Sequence, residues 1–398
     1  MKDLQKMSPV ELKSCSILAS VYALRMLGMF LILPIFAIYA TNLDSNPTSL
    51  QIGLALGIYG LTQAIFQIPF GMSSDYFGRK KVIYFGLLLF IIGSLIAGYS
   101  TSIEGIILGR SIQGSGAISA VLTALLADIT REEQRTKAMA IIGASIGLTF
   151  ALSLVLSPWL NDVIGVDGIF ILMAILSFTA FLLVYFFIKE PEIRKEKTKT
   201  SADEFLKILK DINLFRMNFG IFVLHATQIS MFMTIPIYLV NQGGINLSDH
   251  WQIYLPVLFF SFLLMIPIII FSEKFNKIKI AFLSSIIILF VAQLVFIIFG
   301  NTLFGIILAL LIYFVGFNFL EASLPSLVSK IAPINKKGLA LGVYNTSQSL
   351  GIFVGGALGG LITKVYGYNA SFIFCIALIF LWFVLSFGMQ VANFKKAN

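Results

Sequence analysis

Long apolar runs separated by short polar gaps recur from one end of this chain to the other, and they constrain its fold more than any other feature. Crossing the hydrocarbon core of a bilayer takes about 20 mostly apolar residues in a helix. Twelve segments meet that length, at 14–40, 50–71, 81–99, 103–129, 137–160, 169–188, 213–240, 248–272, 280–299, 302–330, 337–364 and 369–391. The runs are continuous rather than alternating, which argues for helices and against the strands of a barrel, because backbone groups in lipid must be satisfied within the structure. Only 12% of the 398 residues are charged, against roughly a quarter in a soluble domain. The expected fold class is an all-α membrane protein of twelve transmembrane helices. The first run is longer than the core of a signal peptide and no small-residue cleavage site follows it, so it reads as an anchor.

The cations set the orientation. Of the 28 Lys and Arg, all but Arg25, Arg110 and Lys364 fall in the two tails or in the connections after even-numbered spans. Cation-rich connections stay in the cytoplasm. Both termini are therefore expected inside, and the connections bearing Asp44, Asp162, Asp167 and Asp249 outside. The net charge of +9 is mostly a topology signal, since the cations are scattered and form no single groove for nucleic acid. Cys15 and Cys375 stand alone without metal-ligand spacing and read as packing residues, so no metal or cofactor site is expected.

The longest polar connection, which includes KEPEIRKEKTKTSADEF, divides the spans into six and six. It predicts an N-terminal half at 1–188, a cytoplasmic linker at 189–212 and a C-terminal half at 213–398. Within and beyond the linker, DEFLKILKDINLF has apolar residues at helical spacing and is expected to lie along the membrane surface. The halves also read as an internal repeat. SDYFGRKKV after span two parallels SEKFNKIKI after span eight, so that Asp75 corresponds to Glu273 and Arg79 to Lys277.

Two motifs fall in register on these spans. GMSSDYFGRKK matches the pattern G-x-x-x-D-x-x-G-R-K/R-x between spans two and three, and ILGRSIQGSGAISA resembles R-x-x-Q-G-x-G in span four. With these motifs the chain resembles the major facilitator superfamily over its whole length, and within it the drug:proton antiporter group of bacterial inner-membrane transporters. The resemblance implies two pseudo-symmetric six-helix bundles that alternate access between the two sides. It also implies a conformational latch formed by Gly71, Asp75, Gly78, Arg79 and Asp128, with Asp75 meeting the start of the eleventh span near Gly338 to Gly342 and Arg79 pairing with Asp128. The residues suit that role, because glycine at 78 permits a backbone angle closed to other residues and a carboxylate at the membrane edge needs a partner. Lys80 and Lys81 are accounted for by topology alone. Two departures stand out. Antiporters of the family carry a Gly-Pro signature in span five, and here Gly143 and Gly147 fit it while Leu148 stands where Pro is expected, leaving the glycines as candidates for close helix packing. The soluble C-terminal domain of some members has no counterpart before Asn398, so regulation through it is not expected.

Ionisable residues inside a span are functional candidates by default. Arg25 lies near the middle of span one, Arg110 in span four, His225 in span seven and Glu321 in span ten. Burial disfavours the charged form of a carboxylate, so Glu321 could bind and release a proton as solvent access alternates; pairing with a buried Arg, or a fixed structural contact, is open beside it. Asn318 and Pro325 share its helical face. Arg25 is a partner for Glu321 or a holder of an anionic substrate group. Arg110 takes part in proton transfer or in packing against span one, as the resemblance implies, or is a hydrogen-bonded staple to neighbouring carbonyls supported by Gln113. His225 titrates or is a neutral hydrogen-bonded residue.

Candidates for a substrate cavity are Tyr22, Gln63, Gln67, Thr149, Gln228, Tyr254, Asn318, Asn345 and Gln348. They select no single substrate. The only histidines, His225 and His250, are far apart, no H-E-x-x-H occurs and no G-x-x-x-x-G-K-[ST] occurs, so neither an intramembrane protease nor an ATP-driven pump is expected. The reading is a monomeric secondary transporter of a bacterial inner membrane, exporting a small amphipathic molecule in exchange for protons, with the lipid bilayer as its other partner. The alternative is a proton-independent facilitator or a proton-linked importer of a metabolite or sugar.

Overall fold

A computed structural model describes residues 7–43, 46–131, 134–188, 202–333 and 336–389. Asp44 and the linker residues 189–201 lie outside the described residues. The described chain is helical throughout, with no strand: α1 (Pro9–Leu31), α2 (Phe36–Thr41), α3 (Ser49–Phe77), α4 (Arg79–Gly98), α5 (Ile103–Ser115), α6 (Ser119–Ile129), α7 (Arg135–Phe187), α8 (Ala202–Lys210), α9 (Ile212–Phe232), α10 (Ile235–Asn241), α11 (Trp251–Lys274), α12 (Ile278–Phe299), α13 (Leu303–Ile331), α14 (Lys337–Tyr366) and α15 (Tyr368–Phe387).

Among the described residues, 11 helical segments are long and apolar enough to cross a membrane. The difference from twelve arises at α7, which covers both the fifth and the sixth expected spans. At 53 residues a straight helix would run about 80 Å, far beyond one bilayer. Gly165, at φ 68 and ψ 174, interrupts it. Single expected spans are also broken elsewhere. Span one divides into α1 and α2 around Pro34, span seven into α9 and α10 beside Pro236, and span four into α5 and α6 at Gly116–Ile118. Proline lacks the N–H that a continuing helix needs.

The expected repeat is visible in the turns. Gly78 (φ 94) starts α4 and its counterpart Asn276 (φ 52) lies just before α12. Glycine and asparagine are the residues that most readily take such angles. Gly165 (φ 68) and Gly367 (φ 82) interrupt the chain before the last helical stretch of each half. Ser102 caps α5 by accepting from the Gly105 amide at 3.2 Å, and Thr302 caps α13 by accepting from the Gly305 amide at 3.1 Å.

The chain forms two compact units, one of Met1–Pro47 with Ile58–Lys199 and one of Thr48–Gly57 with Thr200–Asn398. In the first unit α1, α4, α6 and α7 enclose a core of Leu18, Val21, Ile83, Leu87, Val121, Leu122, Leu125 and Val184, all fully buried. A row of hydroxyls joins α7 to α1: Ser145 donates to the Ala19 carbonyl at 3.4 Å, Ser153 to Leu27 at 3.5 Å, and Ser157 to Leu31. In the second unit α14 meets α9 through Gly351, Gly355 and Gly359, where a Cβ would strike Phe222, Ala226 and Ser230 in turn. Small residues at intervals of four are the usual means of close helix approach in lipid. Large apolar side chains left open, such as Phe259, Leu263 and Ile270 on α11, suit a lipid solvent.

Candidate functional site

The first unit holds two polar clusters. At the α3–α4 turn, Arg79 Nη1 lies 2.7 Å from Asp75 Oδ1 and its Nε donates to Asp128 Oδ2 at 2.9 Å. Ser74 Oγ accepts from Arg79 Nη1 at 2.5 Å and donates to the Gly71 carbonyl at 2.7 Å. All five residues of the expected latch therefore gather at this turn, with Gly78 supplying the bend. Arg79 is mostly covered, whereas the Asp75 side chain is 51% exposed. Lys80 does more than set topology: its Nζ donates to the Ile188 carbonyl at 2.6 Å, just past the end of α7, where the helix leaves carbonyls without partners.

The second cluster surrounds Arg25, which is 1% exposed. Its Nη1 donates to Ser119 Oγ at 2.8 Å, and its Nη2 to Tyr59 Oη at 2.9 Å and the Gly116 carbonyl at 3.1 Å. The break between α5 and α6 supplies that carbonyl, because a continuous helix would have used it. The Phe90 ring lies 6.0 Å from the Arg25 guanidinium, and the opposite neighbour Tyr59 also faces the Arg110 guanidinium at 5.0 Å. Arg110 donates to Gln113 Oε1 at 2.9 Å, and Gln113 Nε2 donates to Ser94 Oγ at 2.7 Å. Tyr22 hydrogen-bonds to the Ser119 carbonyl and to Thr123 Oγ1 at 2.7 Å, and is thus tied into α6. Gln63 and Gln67 on α3 are buried, and neither amide atom of Gln67 has a hydrogen-bond partner among the described residues. Thr149 donates to the Ser145 carbonyl at 2.7 Å within its own helix. The close packing expected of Gly143 and Gly147 is not found: nothing described lies within 4 Å of where their Cβ atoms would sit, and the neighbouring hydroxyl row carries the contact with α1.

In the second unit, Glu321 Oε2 is buried with no hydrogen-bond partner among the described residues. Tyr313 and Tyr344 are within electrostatic reach of its carboxylate, and the Tyr344 hydroxyl also lacks a partner. One turn before it, Asn318 Nδ2 donates to Ser261 Oγ at 3.0 Å, joining α13 to α11. His225 Nε2 lies 2.8 Å from Gln348 Nε2, which joins α9 to α14. An amide nitrogen can only donate, so the imidazole accepts there and is neutral in this arrangement. The Phe317 ring packs 6.2 Å from His225, and Thr227 and Tyr313 lie 3.4 Å apart. Gln228 and Tyr254 are buried, the Tyr254 hydroxyl without a hydrogen-bond partner among the described residues, while Asn345 is half-buried.

Several contributors escaped the sequence reading. Ser119, Tyr59, Tyr313 and Tyr344 carry no motif of their own. Glu11 does have a signal: Ser8 and Glu11 form a capping box at the start of α1, legible as S-x-x-E before an apolar run. Glu11 also accepts from the Arg131 backbone at 2.9 Å and from its guanidinium at 2.9 and 3.0 Å, tying α1 to the end of α6.

The comparisons agree with the fold and the motifs. The family model described as Major Facilitator Superfamily matches residues 18–356 and 320–393. The inner membrane transport protein YajR of Escherichia coli (strain K12) is 41% identical over 387 residues, covering 97% of this chain and 85% of the relative. Quinolone resistance protein NorA of Staphylococcus aureus (strain COL) is 25% identical over 353 residues, covering 85% of this chain and 87% of its own. Among solved structures, a D-xylose-proton symporter superposes with a TM-score of 0.73 at 14% identity, covering 95% of this chain and 98% of that one. A bacterial homologue of the human lysosomal transporter Spinster gives 0.76 at 12% identity, covering 96% and 97%. These two likenesses bear on the fold alone. Two motifs in register, the helical membrane fold and the match along the chain lead to one conclusion: this is a multi-pass inner-membrane transporter, not an enzyme, and it belongs to the major facilitator superfamily.

Proposed function

We propose that the chain exports a small amphipathic compound in exchange for protons by alternating access, as a monomer, with Glu321 as the group that takes up and releases the proton. The observation that carries this reading is the buried Glu321 oxygen without a hydrogen-bond partner. A carboxylate held this way has no fixed ion pair to lose on protonation, and Tyr313 and Tyr344 lie within its electrostatic reach. The efflux direction draws support from relatives named for drug resistance, NorA and multidrug resistance protein 2 of Bacillus subtilis (strain 168), the latter 26% identical over 402 residues. The Asp75–Arg79–Asp128 cluster acts in this scheme as the latch whose release accompanies the change of state.

The test is proton release on adding a panel of amphipathic compounds to purified protein in weakly buffered detergent, with wild type beside Glu321→Gln. Release with particular ligands that the substitution abolishes is the expected outcome. Binding without release would favour the second reading, a proton-independent facilitator, for which the sequence offers Leu148 in place of the antiporter Pro.

A further inference from the structure

Two buried oxygens on neighbouring helices of the second unit lack hydrogen-bond partners among the described residues: Glu321 Oε2 on α13 and the Tyr344 hydroxyl on α14. Proton exchange at Glu321 gives a role to the first and none to the second. These two helices are consecutive spans that pack on one another, so they run in opposite directions. His225 of α9 marks a level common to both. Its ring packs 6.2 Å from the Phe317 ring on α13, and its Nε2 lies 2.8 Å from Gln348 Nε2 on α14. Glu321 comes four residues after Phe317, and Tyr344 four residues before Gln348, each about one turn along the same helical face. Because the helices are antiparallel, both steps lead the same way. They bring the carboxyl and the phenol to one level, where the two are within electrostatic reach of each other.

The other polar groups at this place are engaged. The Tyr313 hydroxyl lies 3.4 Å from Thr227 Oγ1, His225 is joined to Gln348, and Asn318 Nδ2 donates to Ser261 Oγ of α11 at 3.0 Å. At Gly316, α13 meets α12 through the Ser285 carbonyl, which does not titrate. Among the described residues, the ionisable groups facing Glu321 are therefore Tyr313 on its own helix and Tyr344 on α14, with His225 of α9 a turn away. An ionised carboxylate in the interior requires a donor, whereas a protonated one carries a donor of its own. A phenol that keeps its proton and has no other partner can meet the first need.

We infer that Tyr344 is a positioning residue for proton exchange at Glu321. When the Glu321 proton leaves for water, the Tyr344 hydroxyl donates to the bare carboxylate; when a proton returns to the carboxyl, that hydrogen bond is released. The phenol keeps its own proton throughout, so the one proton lost or gained is that of Glu321. This rests on the reading of Glu321 as the proton carrier, and it adds the group that lets the carboxylate exist in the interior between two loadings.

The proton itself serves as the probe, so no ligand is needed. Infrared difference spectra between acidic and alkaline buffer are recorded on the full chain reconstituted in phosphatidylethanolamine–phosphatidylglycerol vesicles. Glu321→Gln should remove one carboxyl C=O band, which identifies the group. A tyrosine ring mode, assigned with ring-deuterated tyrosine, should change together with that band in the unaltered chain. Tyr344→Phe should abolish the tyrosine change and displace the carboxyl band, and Tyr313→Phe should leave both in place. A tyrosine change that survives Tyr344→Phe, or is absent from the unaltered chain, would overturn the inference and leave Glu321 as the carrier. If Glu321→Gln removes no carboxyl band, the carrier reading falls and the inference falls with it. Should Tyr344→Phe fail to fold, Tyr313→Phe decides: loss of the tyrosine change there would assign the mode to Tyr313 and overturn the inference.

Discussion

The two charged clusters of the first unit differ in kind, and burial decides how. Arg25 is removed from water and held by three hydrogen bonds in place of a carboxylate, whereas the Asp75–Arg79 pair is partly open. Exposed pairs are worth about 0–1 kcal/mol, while stripping a buried charge of its partners costs several times more. Asp75→Asn should therefore leave thermal stability in detergent almost unchanged yet shift the distance distribution between spin labels at the cytoplasmic ends of spans two and eleven. An unaltered distribution would reduce Asp75 to ordinary boundary chemistry. Arg25→Leu, by contrast, should lower the melting temperature clearly, since the Ser119 and Tyr59 hydroxyls lose in the interior the donor that Arg25 supplies.

At the scale of helices, equivalent pairs in the two halves are joined by different chemistry. In one, Ser153 and Ser157 of α7 donate to carbonyls of α1; in the other, Gly355 and Gly359 of α14 let the helix lie directly against α9. Hydroxyl bonds between membrane helices contribute about 0.6 kcal/mol on average, while forcing side-chain volume into a close-packed contact costs about 1–3 kcal/mol or more. Ser153→Ala should then be tolerated, and Gly355→Val should abolish a monodisperse gel-filtration peak. Equal behaviour of the two variants would mean that the glycine contact is not limiting. The same scale explains the broken spans. Nothing in the run ILGRSIQGSGAISA says that its glycines end one helix and begin another, nor that Arg25, far away in sequence, donates to the Gly116 carbonyl at the break beside the Ile118 amide.

For the whole molecule, orientation is the property to test, and it follows from charge alone. Cysteines introduced at Glu104 and Lys210 should react differently with a membrane-impermeant maleimide in intact spheroplasts, the first labelled and the second protected; the reverse pattern would invert the topology. The membrane class and the helical fold were legible because each is written in local pattern, apolar run length above all, and the four residues of the G-x-x-x-D-x-x-G-R motif that sequence singled out gather at one turn, where Asp128 of α6 joins Arg79. The candidate site of the second unit was legible only in part. Glu321 and His225 stood out as ionisable residues in lipid, but Tyr313, Tyr344 and Ser261 did not, because a tyrosine or serine in an apolar helix has no distinguishing neighbour in sequence. Which neutral groups surround an intramembrane charge is decided by helix packing between residues tens of positions apart, and so is whether Gly143 and Gly147 or the nearby hydroxyls hold α7 to α1. By itself the sequence determined where the chain crosses the bilayer and which charges the crossing must accommodate, because transfer into lipid acts on each segment separately; tertiary structure alone decided who satisfies those charges, because hydrogen bonds depend on distances that no local pattern encodes.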